Sequence, residues 1–115
     1  MTKTLLTVVL AVAVLLAGLP AIANAQQIAM GGYSVPTAGS FLEGIATGPD
    51  GALWFCEYYG NKIGCITPSG AVTEYRLPHA NSDPAQITTG PDGALWFTEY
   101  GGSRIGRITT GGVIT

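Results

Sequence analysis

An eight-residue run, Gly48-Pro49-Asp50-Gly51-Ala52-Leu53-Trp54-Phe55, recurs unchanged 42 residues later as Gly90-Pro91-Asp92-Gly93-Ala94-Leu95-Trp96-Phe97. Aligned without a gap, residues 45–73 and 87–115 are identical at 19 of 29 positions. A chain that repeats itself at a fixed period must build the same supersecondary unit each time. Neighbouring units must then bury their apolar faces on one another.

The punctuation of the repeat says what the unit is. Gly-Pro-Asp-Gly is turn chemistry: Pro fixes φ, Asp bonds its own backbone, and Gly accepts a positive φ. The aromatic-rich Ala52–Phe55 that follows reads as a short strand. Gly60-Asn61 and Gly101-Gly102-Ser103 interrupt it, and Lys62–Thr67 and Arg104–Thr109 read as returning strands. A second turn at Ser69-Gly70 precedes Val72–Leu77, whose alternation suits a strand with one wet face. With Gln86–Thr89 ahead of the turn, each repeat holds four short antiparallel strands. Four strands at this period predict the blade of a β-propeller, and no helical periodicity competes with that reading after residue 25.

The fold class is therefore all-β, a propeller fragment of about two four-stranded blades plus one outer, ring-closing strand. Residues 1–25 stand apart from it. Lys3 precedes an apolar run from Leu5 to Leu16, and Ala23-Asn24-Ala25 offers a cleavage site before Gln26. That is the pattern of a secretory signal peptide, because Gly18 and Pro20 break the run short of the roughly 20 apolar residues a span needs. The expected product is secreted or periplasmic, with no membrane attachment after processing. Residues 26–32 read as an unstructured lead and 33–115 as propeller repeats. Tyr33, Val35 and Pro36 lie 42 residues before Tyr75, Leu77 and Pro78, so 33–36 is expected to be an orphan outer strand. The first blade takes 43–78, and the second, 85–115, stops inside its outer strand. A closed propeller takes about four to eight blades. The chain reads as an N-terminal fragment of a longer propeller; a small protein that builds its ring from several copies is the alternative.

Charge narrows the partners. Beyond the leader, Lys62, Arg76, Arg104 and Arg107 face seven carboxylates, a net charge of −3 with no basic patch. Nucleic acid is excluded as an expected partner. A small-molecule or peptide ligand remains open, as does self-association through uncovered apolar blade faces.

Few residues carry chemistry. Trp54 and Trp96 read as packing between blades, Gly64 and Gly106 as room for a close neighbour, and Asp50 and Asp92 as turn formers. Glu57 and Glu99 end the second strand of each blade, beside the loop to the third. That rim is shared with the start of the innermost strands, where a carboxylate can hold Mg²⁺ or move a proton. The alternative is a structural acceptor for the amides of the Gly-rich loop. His79 is the single histidine and has no partner at ligand spacing. A hairpin centred between Gly60 and Asn61 would set Cys56 directly opposite Cys65, which predicts a cross-strand disulfide in an oxidising compartment. Thr98 and Arg107 hold those places in the second repeat, so the blade itself does not demand the cysteines.

The combination Ile-x-Thr-Gly-Pro-Asp-Gly-x-Leu-Trp-Phe-Thr-Glu with Arg-Ile-Gly-Arg-Ile-Thr resembles the virginiamycin B (streptogramin B) lyase family, over residues 33–115. The resemblance implies a seven-bladed propeller that opens a cyclic depsipeptide antibiotic by Mg²⁺-dependent elimination, and so confers antibiotic resistance. It also implies a catalytic histidine two residues before the motif Ile, with a Glu after Trp-Phe-Thr in the same blade. Here those histidine positions hold Glu43 and Ala85, while Glu57 and Glu99 match the glutamate. Two functions stay open: part of an exported lyase, inactive as this fragment alone, or part of an exported propeller used for binding.

Overall fold

The computed structural model describes residues 31–115. The expected signal peptide, its Ala25–Gln26 junction and most of the 26–32 lead lie outside the described residues. Within Tyr33–Thr115, a single compact unit, seven strands form two antiparallel sheets and no helix. The first sheet runs β1 (Leu42–Thr47), β2 (Leu53–Glu57), β3 (Lys62–Ile66) and β4 (Val72–Arg76) in sequence order. The second repeats it as β5 (Pro84–Thr89), β6 (Leu95–Glu99) and β7 (Arg104–Ile108). A fourth strand only begins there, through a bridge between Ile108 and Ile114. These are a four-stranded and a three-stranded propeller blade.

The Gly-Pro-Asp-Gly turn does two jobs. The Gly51 amide donates to the Gly48 carbonyl at 3.1 Å, and Gly51 itself sits at φ 84°, in the region that favours glycine. The Asp50 carboxylate accepts from the Ala52 amide at 3.2 Å and from the Trp54 indole at 3.1 Å. Asp92 repeats both contacts with Ala94 and Trp96, at 3.2 and 2.9 Å. The aspartates are thus turn formers that also fix the orientation of the blade's tryptophan.

Alternation assigns the faces. Trp54, Cys56, Ile63 and Cys65 point to one side of the first blade, and Ile87, Leu95, Phe97 and Ile108 to the facing side of the second. Together with Ala52 and Leu77 they make one buried cluster. The Trp54 ring stacks on Tyr75 at 5.7 Å, with an interplanar angle of 12°. Gly64 and Gly106 do leave room, and the neighbour is identified: a Cβ on Gly64 would come within 2.2 Å of the Phe55 ring, and one on Gly106 within 2.3 Å of Phe97. Gly44 lets the innermost strands meet, since a Cβ there would lie 2.9 Å from the Ala85 carbonyl oxygen.

Two expectations are corrected. The β2–β3 hairpin turns through four residues, Tyr58 to Asn61, with Asn61 at φ 56°. Its centre therefore lies between Tyr59 and Gly60, and Cys56 faces Ile63 while Cys65 faces Trp54. The cysteines share a face but are diagonal neighbours, about 7–8 Å apart in such a ladder and beyond ordinary disulfide reach. Both are buried, free thiols. The second correction concerns 33–36, which forms no strand. An outer strand needs the third strand of its own sheet, and none is present for it among the described residues. Its position is nonetheless kept: Tyr33 packs on Gly70 of the first blade as Tyr75 packs on Gly112 of the second.

Replacing Gly64 with Ala is expected to cost about 1–3 kcal/mol by overpacking against Phe55. In a Phe55→Ala background the same change should cost little. Urea unfolding of the four proteins in this cycle checks it; equal losses in both backgrounds would show that the ring is not the reason.

Candidate functional site

The rim that carries the candidate glutamates is built by the same hydrogen bonds in both blades. Ahead of each innermost strand the backbone turns left-handed, at Phe41 (φ 58°) and at Asp83 (φ 51°). The turn aims two successive carbonyls at the hairpin loop. Phe41 accepts from Tyr58 at 3.0 Å and Ser40 from Tyr59 at 2.9 Å; Asp83 accepts from Tyr100 at 3.1 Å and Ser82 from Gly101 at 3.0 Å. The loop is thereby tied to the start of the innermost strand, with Glu57 directly opposite Leu42 and Glu99 opposite Pro84.

Both glutamates are buried, but their partners differ. Glu99 accepts from the Arg104 guanidinium at 2.9 Å. Lys62 stands opposite Glu57 as Arg104 stands opposite Glu99. Yet its ammonium goes to Glu74, at 2.7 Å, and to the Thr37 hydroxyl. Thr37 also donates to Glu74 through its amide, at 3.0 Å, and its hydroxyl, at 2.6 Å. Glu74 lies on β4. In the first blade the cation thus leaves the second-strand glutamate for Glu74, whereas Arg104 pairs with Glu99.

Glu57 is left with neither carboxylate oxygen hydrogen-bonded. Burial first, then the neighbouring Glu74 charge, pushes its pKa up, while Ser40 and Lys62 pull the other way. Burial also acts to raise Glu74, but the Lys62 and Thr37 hydrogen bonds win and hold it down at about 2. Burial, with a smaller contribution from Glu43, lifts the Cys56 thiol to about 12, which makes it a poor nucleophile at neutral pH.

His79 is exposed, yet it shares a hollow of about 90 Å³ with Glu99, Arg104 and Ile114. Glu43 is exposed and Ala85 half-buried at the starts of β1 and β5. Among the described residues no three His, Cys, Asp or Glu side chains are grouped to hold a metal ion. Glu99 is committed to Arg104, and Glu57 lies beside the Lys62 ammonium. The donor set of these two blades does not fit Mg²⁺.

One rim feature escaped sequence reasoning. Phe41 packs edge-on against Tyr58 and Tyr59, at centroid distances of 6.4 and 5.2 Å, and Phe41 and Tyr59 are largely exposed. The adjacent tyrosines before Gly60 were the available signal. Their partner lies across the sheet, at a left-handed position that no local pattern announces.

The Virginiamycin B lyase family model matches residues 21–115. The chain belongs to the virginiamycin B lyase family. A virginiamycin B lyase from Staphylococcus aureus, solved as a crystal structure, is 52% identical with a TM-score of 0.71, covering 72% of this chain and 28% of that one. A catalytically inactive histidine-to-alanine variant of the Staphylococcus aureus lyase, solved with quinupristin, matches equally well. Curated virginiamycin B lyases of Bordetella parapertussis and Bordetella bronchiseptica are 43% and 44% identical over 50 residues, 44% of this chain and 17% of each relative. The chain thus spans about a sixth of those curated family members and just over a quarter of the solved one.

Two carboxylates with opposite shifts should give opposite pH signatures. Glu57 has a raised folded pKa, so it costs stability as pH rises from about 4.3 through that raised value. Glu57→Met is expected to stabilise by about 1–3 kcal/mol near pH 7, by removing an unsatisfied buried group, with the gain shrinking toward pH 4. Glu74 has a lowered folded pKa, so its contribution is full above about 4.3 and fades as pH falls toward about 2. Glu74→Gln should lose stability at neutral pH and match the parent in acid. Urea midpoints from pH 3 to 8 check both.

Proposed function

We propose that this chain supplies two blades of an exported streptogramin B lyase propeller, as framework and not as the reacting centre. The 52% identity to a virginiamycin B lyase over most of the described residues carries the assignment to that activity. In such a propeller the reaction is eliminative opening of the depsipeptide ester, and the biological outcome is resistance to the antibiotic. A base must be held at the α-proton, and Mg²⁺ supplies stabilisation of the developing enolate. The residues here support a framework role: Glu43 and Ala85 stand in the histidine positions, and Glu57 and Glu99 are buried. What these blades offer a ligand is the rim aromatics Phe41, Tyr58 and Tyr59 and a fixed loop geometry. Export rests on the Lys3–Leu16 and Ala23–Ala25 pattern.

The test is a graft. Residues 33–115 replace the matching blades of the Staphylococcus aureus lyase, and ring opening is followed with Mg²⁺ present. Activity within about tenfold of the parent is expected; a folded but inactive chimera would overturn the proposal. Residues 26–115 alone should give no Mg²⁺-dependent opening above background, and turnover by that chain would overturn the framework role. Expressed with its leader in a bacterial host, the chain should be recovered outside the cytoplasm with Gln26 at its N-terminus, as read by intact mass.

A further inference from the structure

The chain enters its first blade across a buried ionic cluster. Lys62 on β3 and Glu74 on β4 bring one ammonium and one carboxylate to 2.7 Å, with only 16% and 9% of their side chains exposed. Thr37 joins them from the entry segment. Its amide and hydroxyl donate to Glu74 at 3.0 and 2.6 Å, and its hydroxyl oxygen accepts from the Lys62 ammonium. Three residues on, the Ser40 carbonyl accepts from the Tyr59 and Gly60 amides at 2.9 and 3.2 Å, so what holds Thr37 also steadies the rim loop. Glu57 completes the cluster. It is 0% exposed, stands directly opposite Lys62 in the β2–β3 ladder, and has neither carboxylate oxygen hydrogen-bonded.

We infer that this cluster is a proton-controlled clasp: with Glu57 neutral, Lys62 and Glu74 grip Thr37, and ionised Glu57 draws Lys62 away and loosens the entry segment. One ammonium serves two carboxylates. While Glu57 carries a proton, Glu74 is the only anion of the pair, and both Lys62 and Thr37 bond to it. Once Glu57 ionises, its charge attracts Lys62 across the ladder and repels Glu74, the two groups that hold Thr37. The groups that face Glu57 are few. Lys62 comes from β3, Glu74 from β4 and the uncharged Ser40 from the entry segment. Glu43 on β1 is exposed and acts on Cys56, on the other face of the sheet. Burial and the Glu74 charge raise the Glu57 pKa while Thr37 is docked. Docking is therefore favoured below the ordinary carboxylate range and weakens as pH rises through that raised value. Glu74, held at about 2, sets the lower edge, because there it loses the charge that grips Thr37. The clasp is built from residues of the entry segment and the first blade alone, and it does not depend on the lyase reading.

The experiment is an NMR titration of the chain, labelled with ¹³C and ¹⁵N, from pH 3 to 8. The Glu57 carboxyl carbon and the Thr37 amide are followed together in the parent and in Glu57→Gln, Thr37→Val and Thr37→Ser. In the parent the Thr37 amide should move with the same midpoint as the Glu57 carboxyl. Glu57→Gln, which mimics the neutral acid at every pH, should keep Thr37 in its low-pH position throughout. Thr37→Val should lower the Glu57 midpoint by about half a pH unit, because Lys62 is then held less firmly by Glu74. Thr37→Ser, which keeps the hydroxyl, should restore the parent's midpoint. A Thr37 amide that does not follow Glu57 overturns the inference. So does a Thr37 step that survives in Glu57→Gln, or a Glu57 midpoint that Thr37→Val leaves unchanged.

Discussion

A propeller blade has no solvent side: each of its two faces must be covered, one by the blade before and one by the blade after. That requirement explains why Leu-Trp-Phe can be apolar at consecutive positions of a five-residue strand, where a sheet with one wet face would alternate. It explains the glycines as well. With large rings on one strand, the neighbouring strand must be hollow at the matching position, and Gly64 under Phe55 is that hollow. The tryptophan then needs a fixed direction, which Asp50 provides from within the turn that starts the strand. Turn, strand and interface are thus specified by the same few residues, which is the agreement across levels that makes a sequence foldable.

The buried glutamates show how repetition shifts the outcome of an electrostatic competition. Lys62 and Arg104 occupy matching places, yet one serves the fourth strand and the other the second. Two carboxylates and one ammonium cannot all be paired. The better-furnished site, where Thr37 adds two hydrogen bonds, takes the cation. The loser keeps a buried group without hydrogen-bond partners, a cost of about 1–3 kcal/mol near neutral pH. Identical residues in consecutive blades can therefore differ in whether a cation reaches them.

The blade architecture was legible in the sequence because period, turn chemistry and aromatic runs are local signals. Strand positions differ from expectation by a residue or two at their ends. The hairpin register was not legible, since Gly60-Asn61 suggests a two-residue turn and only the left-handed Asn61 shows that four residues are used. That displacement of two residues separates Cys56 from Cys65. The loss of Glu57's partner was hidden for another reason: it depends on Glu74 and Thr37, which lie 17 residues after and 20 before it in the chain. Pattern reading sees spacing, and competition for a cation is settled in space.

The packing of Tyr75 on Gly112, echoed by Tyr33 on Gly70, has a consequence for how the array comes apart. Tyr75 belongs to the fourth strand of the first blade yet rests on a turn of the second, so the contact ties one repeat to the next. In the language of a one-dimensional Ising chain, it adds to the coupling between neighbours. Such a chain melts in one transition, and amides of β2 and β6 would exchange their hydrogens at a common rate, set by the opening of both blades together.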